Sequence, residues 1–189
     1  MRGLSSVSIY DEHLKTQPTP GDPLAGQIVD TRDLVFLRRT IELSSRARSE
    51  GRHPFGALIV NSQGQTLVET RNNAVRPAGD PTQHAEMLAC RALSRRMTEA
   101  EMATCTLYTS TEPCAMCAGA IYWVGIGRVV YALSEQGLAK YTGPHQENPT
   151  LDISCREIFA RGHRNIIVAG PAIEDEAGRL HHGFWVPAG

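Results

Sequence analysis

The sequence predicts an α/β protein, a three-layer α/β/α sandwich with a mixed sheet of about five strands. Three patterns indicate this fold: an amphipathic helical segment, then two short strand patterns separated by a turn, then strand patterns that alternate with helical ones. An opening hairpin contributes an antiparallel pair, and the strand–helix alternation that follows contributes parallel pairs. Helices are therefore expected on both faces of the sheet.

The first element is predicted to be a helix that follows Asp30 and ends near Gly51. Asp30 is a suitable N-cap, and the apolar residues Leu34, Leu37 and Ile41 recur at near-helical spacing. Gly51 is a typical stop signal after a helix. This helix is expected to lie against the sheet through its apolar stripe.

A hairpin follows the helix. Phe55–Val60 is an apolar run, Ser62–Gly64 is a turn, and Thr66–Thr70 alternates between apolar and polar residues; residues 72–83 then form a loop. The remaining predicted elements are a helix over His84–Met97, a strand over Thr104–Thr109, a helix from Pro113 to about Val124, a strand over Arg128–Leu133, a loop over Ser134–Thr150, a helix over Leu151–Arg161, a strand over Asn165–Ala169 and a helix over Ile173–His182.

The length of 189 residues fits one domain with a tail. Residues 1–28 are polar and contain three prolines, a composition typical of a flexible amino-terminal arm. Residues 29–189 are expected to form the domain that carries the function.

Charge and composition exclude several classes of protein. A net charge of −1 provides no overall positive field for nucleic acid, and no apolar run approaches the ~20 residues that span a bilayer. The amino terminus lacks the pattern of a secretory signal, and five cysteines without such a signal favour reduced thiols. We therefore expect a cytoplasmic protein that has no membrane partner, and nucleic acid is not its expected partner.

The strongest functional signal is His84-x-Glu86 followed by Pro113-Cys114-x-x-Cys117. This order and spacing are the H-x-E…P-C-x-x-C signature of zinc deaminases. Cys114 and Cys117 stand three apart near the start of a predicted helix, so both sulfurs can reach one ion, and His84 is the third ligand. Three protein ligands leave the fourth tetrahedral position open for a catalytic water, so we expect one catalytic zinc per chain.

Glu86 is predicted to move protons and not to bind the metal. Zinc lowers the pKa of a bound water toward ~7, and a nearby carboxylate can transfer the proton first to the ring and then to the departing amine. A C-x-x-C pair alone also occurs in redox motifs and structural zinc knuckles. Its occurrence with H-x-E, each at a predicted helix start, favours the catalytic interpretation, whereas Cys90, Cys105 and Cys155 are interpreted as core residues.

The chain is similar to the cytidine and deoxycytidylate deaminase superfamily over roughly residues 30–135, and most similar to the branch of bacterial guanine and nucleoside deaminases and tRNA adenosine deaminases. The segments that carry the resemblance are Pro54-Phe55-Gly56-Ala57, Asn72-Asn73, Asp80-Pro81-Thr82-Gln83-His84-Ala85-Glu86, Thr109-Ser110-Thr111-Glu112-Pro113-Cys114 and Gly119-Ala120-Ile121-Tyr122-Trp123.

The resemblance implies four substrate-binding residues. Asn72 would hydrogen-bond the base, the Ala85 backbone N–H would contact it beside the metal, and Phe55 and Trp123 would line the pocket. The alternatives are a turn role for Asn72 and core packing for the two aromatic residues. The resemblance also implies a homodimer, to which residues 120–124 could contribute.

One departure concerns the loop after the fourth strand. Guanine deaminases carry an acidic residue there that reads the donor edge of guanine, whereas residues 136–141 here contain no aspartate. Glu135, His145 or Glu147 could take its place. The leading hypothesis is zinc-dependent hydrolytic deamination of a small purine-like base or nucleoside; the alternatives are tRNA adenosine deamination and a non-catalytic zinc-binding domain.

Overall fold

A computed structural model describes residues 28–75 and 78–185. The predicted arm, residues 1–28, lies outside them except for Ile28, which is exposed. The elements are helices α1 (Thr31–Ser49), α2 (Ala85–Leu93), α3 (Glu99–Met102), α4 (Ala115–Val124), α5 (Glu135–Thr142), α6 (Cys155–Ala160) and α7 (Glu174–Gly178), and strands β1 (Gly56–Val60), β2 (Thr66–Arg71), β3 (Thr106–Thr111), β4 (Arg128–Leu133) and β5 (Ile167–Ala169).

The five strands form one mixed sheet in the order β2-β1-β3-β4-β5. β1 pairs antiparallel with β2 and β3, whereas β3–β4 and β4–β5 are parallel pairs. Parallel neighbours need a crossover, and the chain between β3 and β4 makes one through α4. The predicted fold class is confirmed.

Two apolar cores lie on opposite faces of the sheet, because alternate side chains of a strand point to opposite sides. In β3, Leu107 packs into the core with α2, α3, α4 and α6, while Tyr108 packs into the core with α1, α5 and α7. Val129 and Val130 of β4 divide in the same way. The three layers therefore follow from period-two burial in the central strands.

Local sequence explains how α1 docks on the sheet. Asp30 and Asp33 form a reciprocal capping box that fixes the start of α1. A Cβ atom at Gly56 would lie 2.5 Å from the Thr40 carbonyl oxygen, so only glycine lets β1 approach α1 this closely. No helix among the described residues has the length and apolar character needed to cross a membrane.

Several predicted boundaries are wrong. The region predicted as a loop, Ser134–Thr150, contains α5, which Ser134 caps through a hydrogen bond accepted from the Gly137 N–H. β3 continues to Thr111, two residues beyond its predicted end. The predicted helix over Leu151–Arg161 is shortened to α6, and the one over Ile173–His182 to α7.

Candidate active site

Helix starts position the three predicted metal ligands. His84 is the N-cap of α2 and Cys114 the N-cap of α4, and Cys117 lies in the first turn of α4. Unpaired N–H groups at a helix start favour negative charge, which suits a thiolate and the neighbouring Glu86. β3 leads directly into the Cys114 segment, so the sheet fixes this site.

The three ligand atoms fit a tetrahedral zinc ion. His84 Nδ1 lies 3.6 Å from Cys114 Sγ and 3.6 Å from Cys117 Sγ, and all three atoms lie within 4.8 Å of one another. Ordinary Zn–N and Zn–S bond lengths at a tetrahedral angle place nitrogen and sulfur about 3.6 Å apart. The donor set, one imidazole and two thiols, is typical of zinc.

The electrostatics of the cysteine pair favour a thiolate. The pKa of Cys114 is lowered to about 4, because the Cys117 thiol hydrogen-bonds it and His84 lies beside it. Burial lowers the pKa of His84, but the hydrogen bond and charge of Cys114 outweigh burial and raise it.

Glu86 lies in the same cavity but is held by the protein. Its carboxyl is buried, and Oε1 accepts a 2.6 Å hydrogen bond from the Thr109 hydroxyl. Oε2 lies 3.5 Å from Cys117 Sγ. Burial raises the pKa of Glu86 and outweighs the hydrogen bond from Thr109, which lowers it. This placement suits a proton-transfer group beside the metal.

The ligands open into a cavity of about 490 Å³. It is lined by His53, Phe55, Ala74, Val75, Pro81, His84, Glu86, Thr111, Glu112, Cys114, Met116, Glu135, Leu138, Gln146, Glu147, Asn148, Pro149, Thr150 and Leu151. Four of these described lining residues are glutamates, and none is a lysine or an arginine. The described part of the lining is therefore rich in carboxyl groups.

One wall of the cavity is the segment 146–151, which links α5 to α6. Glu112, two residues before Cys114, anchors the elements on either side of this segment. Its Oε2 accepts from the Glu135 N–H at the start of α5 (3.2 Å), and its Oε1 accepts from Ser154 Oγ (2.7 Å) and the Cys155 N–H (3.1 Å) at α6. One buried carboxylate thus ties this wall to the metal segment.

The predicted substrate-binding residues occupy different places. Phe55 lines the cavity. Asn72 is fully buried outside the lining; its Oδ1 accepts from the N–H of the lining residue Ala74, and its Nδ2 has no hydrogen-bond partner among the described residues. Ala85 is buried at the first position of α2, where a backbone N–H has no partner within the helix.

Trp123 does not line the cavity of its own chain, so that prediction is corrected. Its side chain is 78% exposed. The buried face of α4 carries Cys117, Ala118 and Ile121, and Trp123 lies two residues beyond Ile121 on the opposite side of the helix.

Of the three residues considered in place of the missing aspartate, Glu135 and Glu147 line the cavity and His145 does not. The Glu147 carboxylate is paired with His53, with Oε2 3.1 Å from His53 Nε2. The pKa of Glu135 is raised to about 7, by burial first and then by the nearby charges of Cys114 and Glu112.

The carboxyl-terminal aromatic residues stand behind the cavity. Trp185 is buried, its indole N–H donates to His181 Nδ1 at 3.1 Å, and its ring centroid lies 5.0 Å from that of His53. Phe55 also contacts this cluster. The segment therefore supports the cavity wall from outside.

Thr109, Thr111 and Glu112 contribute to the site but were missed from the sequence. The polar run Thr109-Ser110-Thr111 is the signal that could have found them, because the first and third hydroxyls of such a run share one face of a strand that leads to Cys114.

The fold and site define a class of protein: an α/β/α protein with three candidate metal ligands at two helix starts and a buried glutamate beside them. The family model "Cytidine and deoxycytidylate deaminase zinc-binding region" matches residues 30–133 of this chain. The chain belongs to this family and is a zinc-dependent hydrolytic deaminase.

Similar proteins include deaminases of different bases. The "Probable cytosine deaminase" of Schizosaccharomyces pombe is 46% identical over 154 residues, which cover 82% of this chain and 93% of that protein. The guanine deaminase of Bacillus subtilis is 41% identical over 107 residues, 56% of this chain and 67% of that protein. A structure of the guanine deaminase from Nitrosomonas europaea, 24% identical, shares the fold with a TM-score of 0.64 and coverage of 83% of this chain and 85% of that one.

Proposed function

We propose that this deaminase acts on a small free base or nucleoside that carries no phosphate, with guanine or a related aminopurine as the leading class. The observation that carries the proposal is the cavity: about 490 Å³, four glutamates and no lysine or arginine among the described lining residues. That volume lies in the usual range for small-ligand pockets. Among the described lining residues a phosphate would face carboxylates and no lysine or arginine, which disfavours nucleotides and tRNA.

The reaction replaces an exocyclic amine by oxygen: water adds at the ring carbon, the C–N bond breaks and ammonia leaves. Bound zinc would supply the Lewis acidity that makes water reactive at neutral pH. His84, Cys114 and Cys117 hold the ion. Glu86 accepts one proton from the attacking water and delivers it to the ring nitrogen. It then takes the second proton of that water from the added hydroxyl and passes it to the departing amine, which otherwise leaves poorly.

Base recognition is assigned to Asn72, Phe55, the Ala85 N–H and Glu135. The unpartnered Asn72 Nδ2 supports a role for this side chain, since buried amides are rarely left unpaired. Phe55 offers a ring face for stacking. Glu135 offers carboxylate oxygens to the donor edge of a base, whereas the Glu147 carboxylate is already paired with His53.

Cytosine is a second candidate substrate, because the Schizosaccharomyces pombe relative matches this chain over 93% of its own length. Both bases present an exocyclic amine beside a ring nitrogen, so the same metal and Glu86 chemistry serves either. Asn72 and Glu135 would contact different atoms of the two bases.

Ammonia release should be measured with guanine, adenine, cytosine, their nucleosides and their monophosphates. We expect turnover of a base or nucleoside and none of the matched monophosphate. Glu86→Gln should retain zinc and lose activity by at least ~10²-fold. Asn72→Asp removes the amide donor and adds charge, so it should impair turnover far more than zinc content. Efficient inosine formation in tRNA with no turnover of any base or nucleoside would contradict the proposal.

A further inference from the structure

The hydroxyl of Thr111 is the starting point. Among the described residues, only two buried side-chain nitrogen or oxygen atoms lack a hydrogen-bond partner, Asn72 Nδ2 and Thr111 Oγ1. Thr111 is the last residue of β3, and its side chain is 2% exposed. Most buried hydroxyls in proteins are paired, so an orphaned one calls for a physical reason.

Strand geometry directs this hydroxyl toward the metal cavity. Thr109 and Thr111 lie two residues apart on β3 and therefore share one face of the sheet. The Thr109 hydroxyl already donates a hydrogen bond to Glu86. Thr111 lies nearer to Cys114 in sequence and lines the cavity together with Glu86 and Cys114.

The chemistry of the cavity suggests what the hydroxyl binds. The carboxylates of Glu86, Glu112 and Glu135 accept hydrogen bonds when ionised, but a base also presents lone pairs on ring nitrogens and carbonyl oxygens, which require donors. A threonine hydroxyl rotates to donate to such an atom. Without a ligand, the Thr111 hydroxyl is a buried group that makes no hydrogen bond, which is unfavourable. A ligand that accepts a hydrogen bond from this hydroxyl removes that cost.

We propose that Thr111 is a further substrate-binding residue, whose hydroxyl donates a hydrogen bond to a ring nitrogen or carbonyl oxygen of the bound base. This inference rests on the proposed function, namely that the substrate is a small base. It assigns to the end of β3 a direct role in recognition, beside its role in leading the chain to Cys114.

Thr111→Val is the test, because it removes the hydroxyl and keeps the branched shape. Dissociation constants for guanine, adenine and cytosine should be measured by calorimetry in a Glu86→Gln background, with zinc content and the melting temperature of the base-free protein. We expect about fivefold weaker binding of whichever base the Glu86→Gln protein binds, unchanged zinc, and a melting temperature that is unchanged or higher. Thr111→Ser should retain the affinity.

Thr40→Val is the matched control. The Thr40 hydroxyl is also buried, but it donates to the Leu37 carbonyl in α1, away from the cavity. This variant should lower the melting temperature and leave base affinity unchanged. If Thr111→Val binds the base as tightly as its parent, or lowers the base-free melting temperature as much as Thr40→Val does, Thr111 is structural and the inference is wrong. If the unmodified protein deaminates none of these bases or their nucleosides, the proposed function itself fails, which is a different result.

Discussion

The hydrogen bond from Thr109 to Glu86 can be tested by Thr109→Val. The Thr109 hydroxyl is fully buried and lies 2.6 Å from Glu86 Oε1. Loss of this hydrogen bond leaves one oxygen of a buried carboxyl unpaired, which costs about 1–3 kcal/mol. We expect the free energy of unfolding to fall by about 2 kcal/mol. Because Glu86 would no longer be held beside the metal, kcat should also fall, roughly tenfold.

Urea unfolding followed by tryptophan fluorescence measures the first effect, and ammonia release from a base or nucleoside that the unmodified protein deaminates measures the second. Thr109→Ser keeps the donor and should restore most of both quantities, while zinc content should stay at one ion per chain in each variant. Full kcat and full stability in Thr109→Val would show that this hydrogen bond does not hold Glu86, and the reasoning would be refuted.

Three further predictions follow from metal binding, a buried histidine and the exposed indole. Cys114→Ala should abolish zinc binding in metal analysis and lower the melting temperature, since the ion links the starts of α2 and α4; retention of zinc would exclude Cys114 as a ligand. Burial lowers the pKa of His181 to about 3, below the value of 6.5 in the unfolded chain. The stability that the neutral His181 contributes is therefore present above pH 6.5 and is lost as the pH falls toward 3. The free energy of unfolding falls by at most about 1.4 kcal/mol per pH unit over this range. Chemical unfolding at about pH 7 and pH 5.5 should therefore show that the free energy of unfolding falls less between these pH values in His181→Gln than in the unmodified protein. Equal falls would contradict this. The homodimer stays a prediction: light scattering should give twice 20.7 kDa, and Trp123→Glu should weaken association, whereas a mass of 20.7 kDa at micromolar concentration would contradict it.

The sequence predicted the fold because its central strands and first helices have strong local signals. Asp30 caps α1 as predicted, and β4 has its predicted bounds, Arg128–Leu133. α5 was missed because it is only eight residues long and contains Gly137, a poor helix former. Its start depends on Ser134 and on Glu112, which is distant in sequence.

The site was predictable only where one local motif fixes its geometry. His84, Cys114 and Cys117 come together because each lies at a helix start whose position the sheet sets. The wall at 146–151 has no such motif: Glu147 within it pairs with His53, and Glu112 holds Ser154 and Cys155 just after it. The prediction for Trp123 relied on resemblance, whereas helical periodicity from Cys117 and Ile121 would have placed it on the outer face.

Glu112 fixes the chain on both sides of the cavity wall at 146–151. The Glu112 carboxylate accepts hydrogen bonds from the first residue of α5 and from the first residue of α6. Residues 146–151 between these helices can therefore change in sequence while both helices stay in place. Proteins that vary only in this stretch should therefore keep the metal site while the shape of one cavity wall changes.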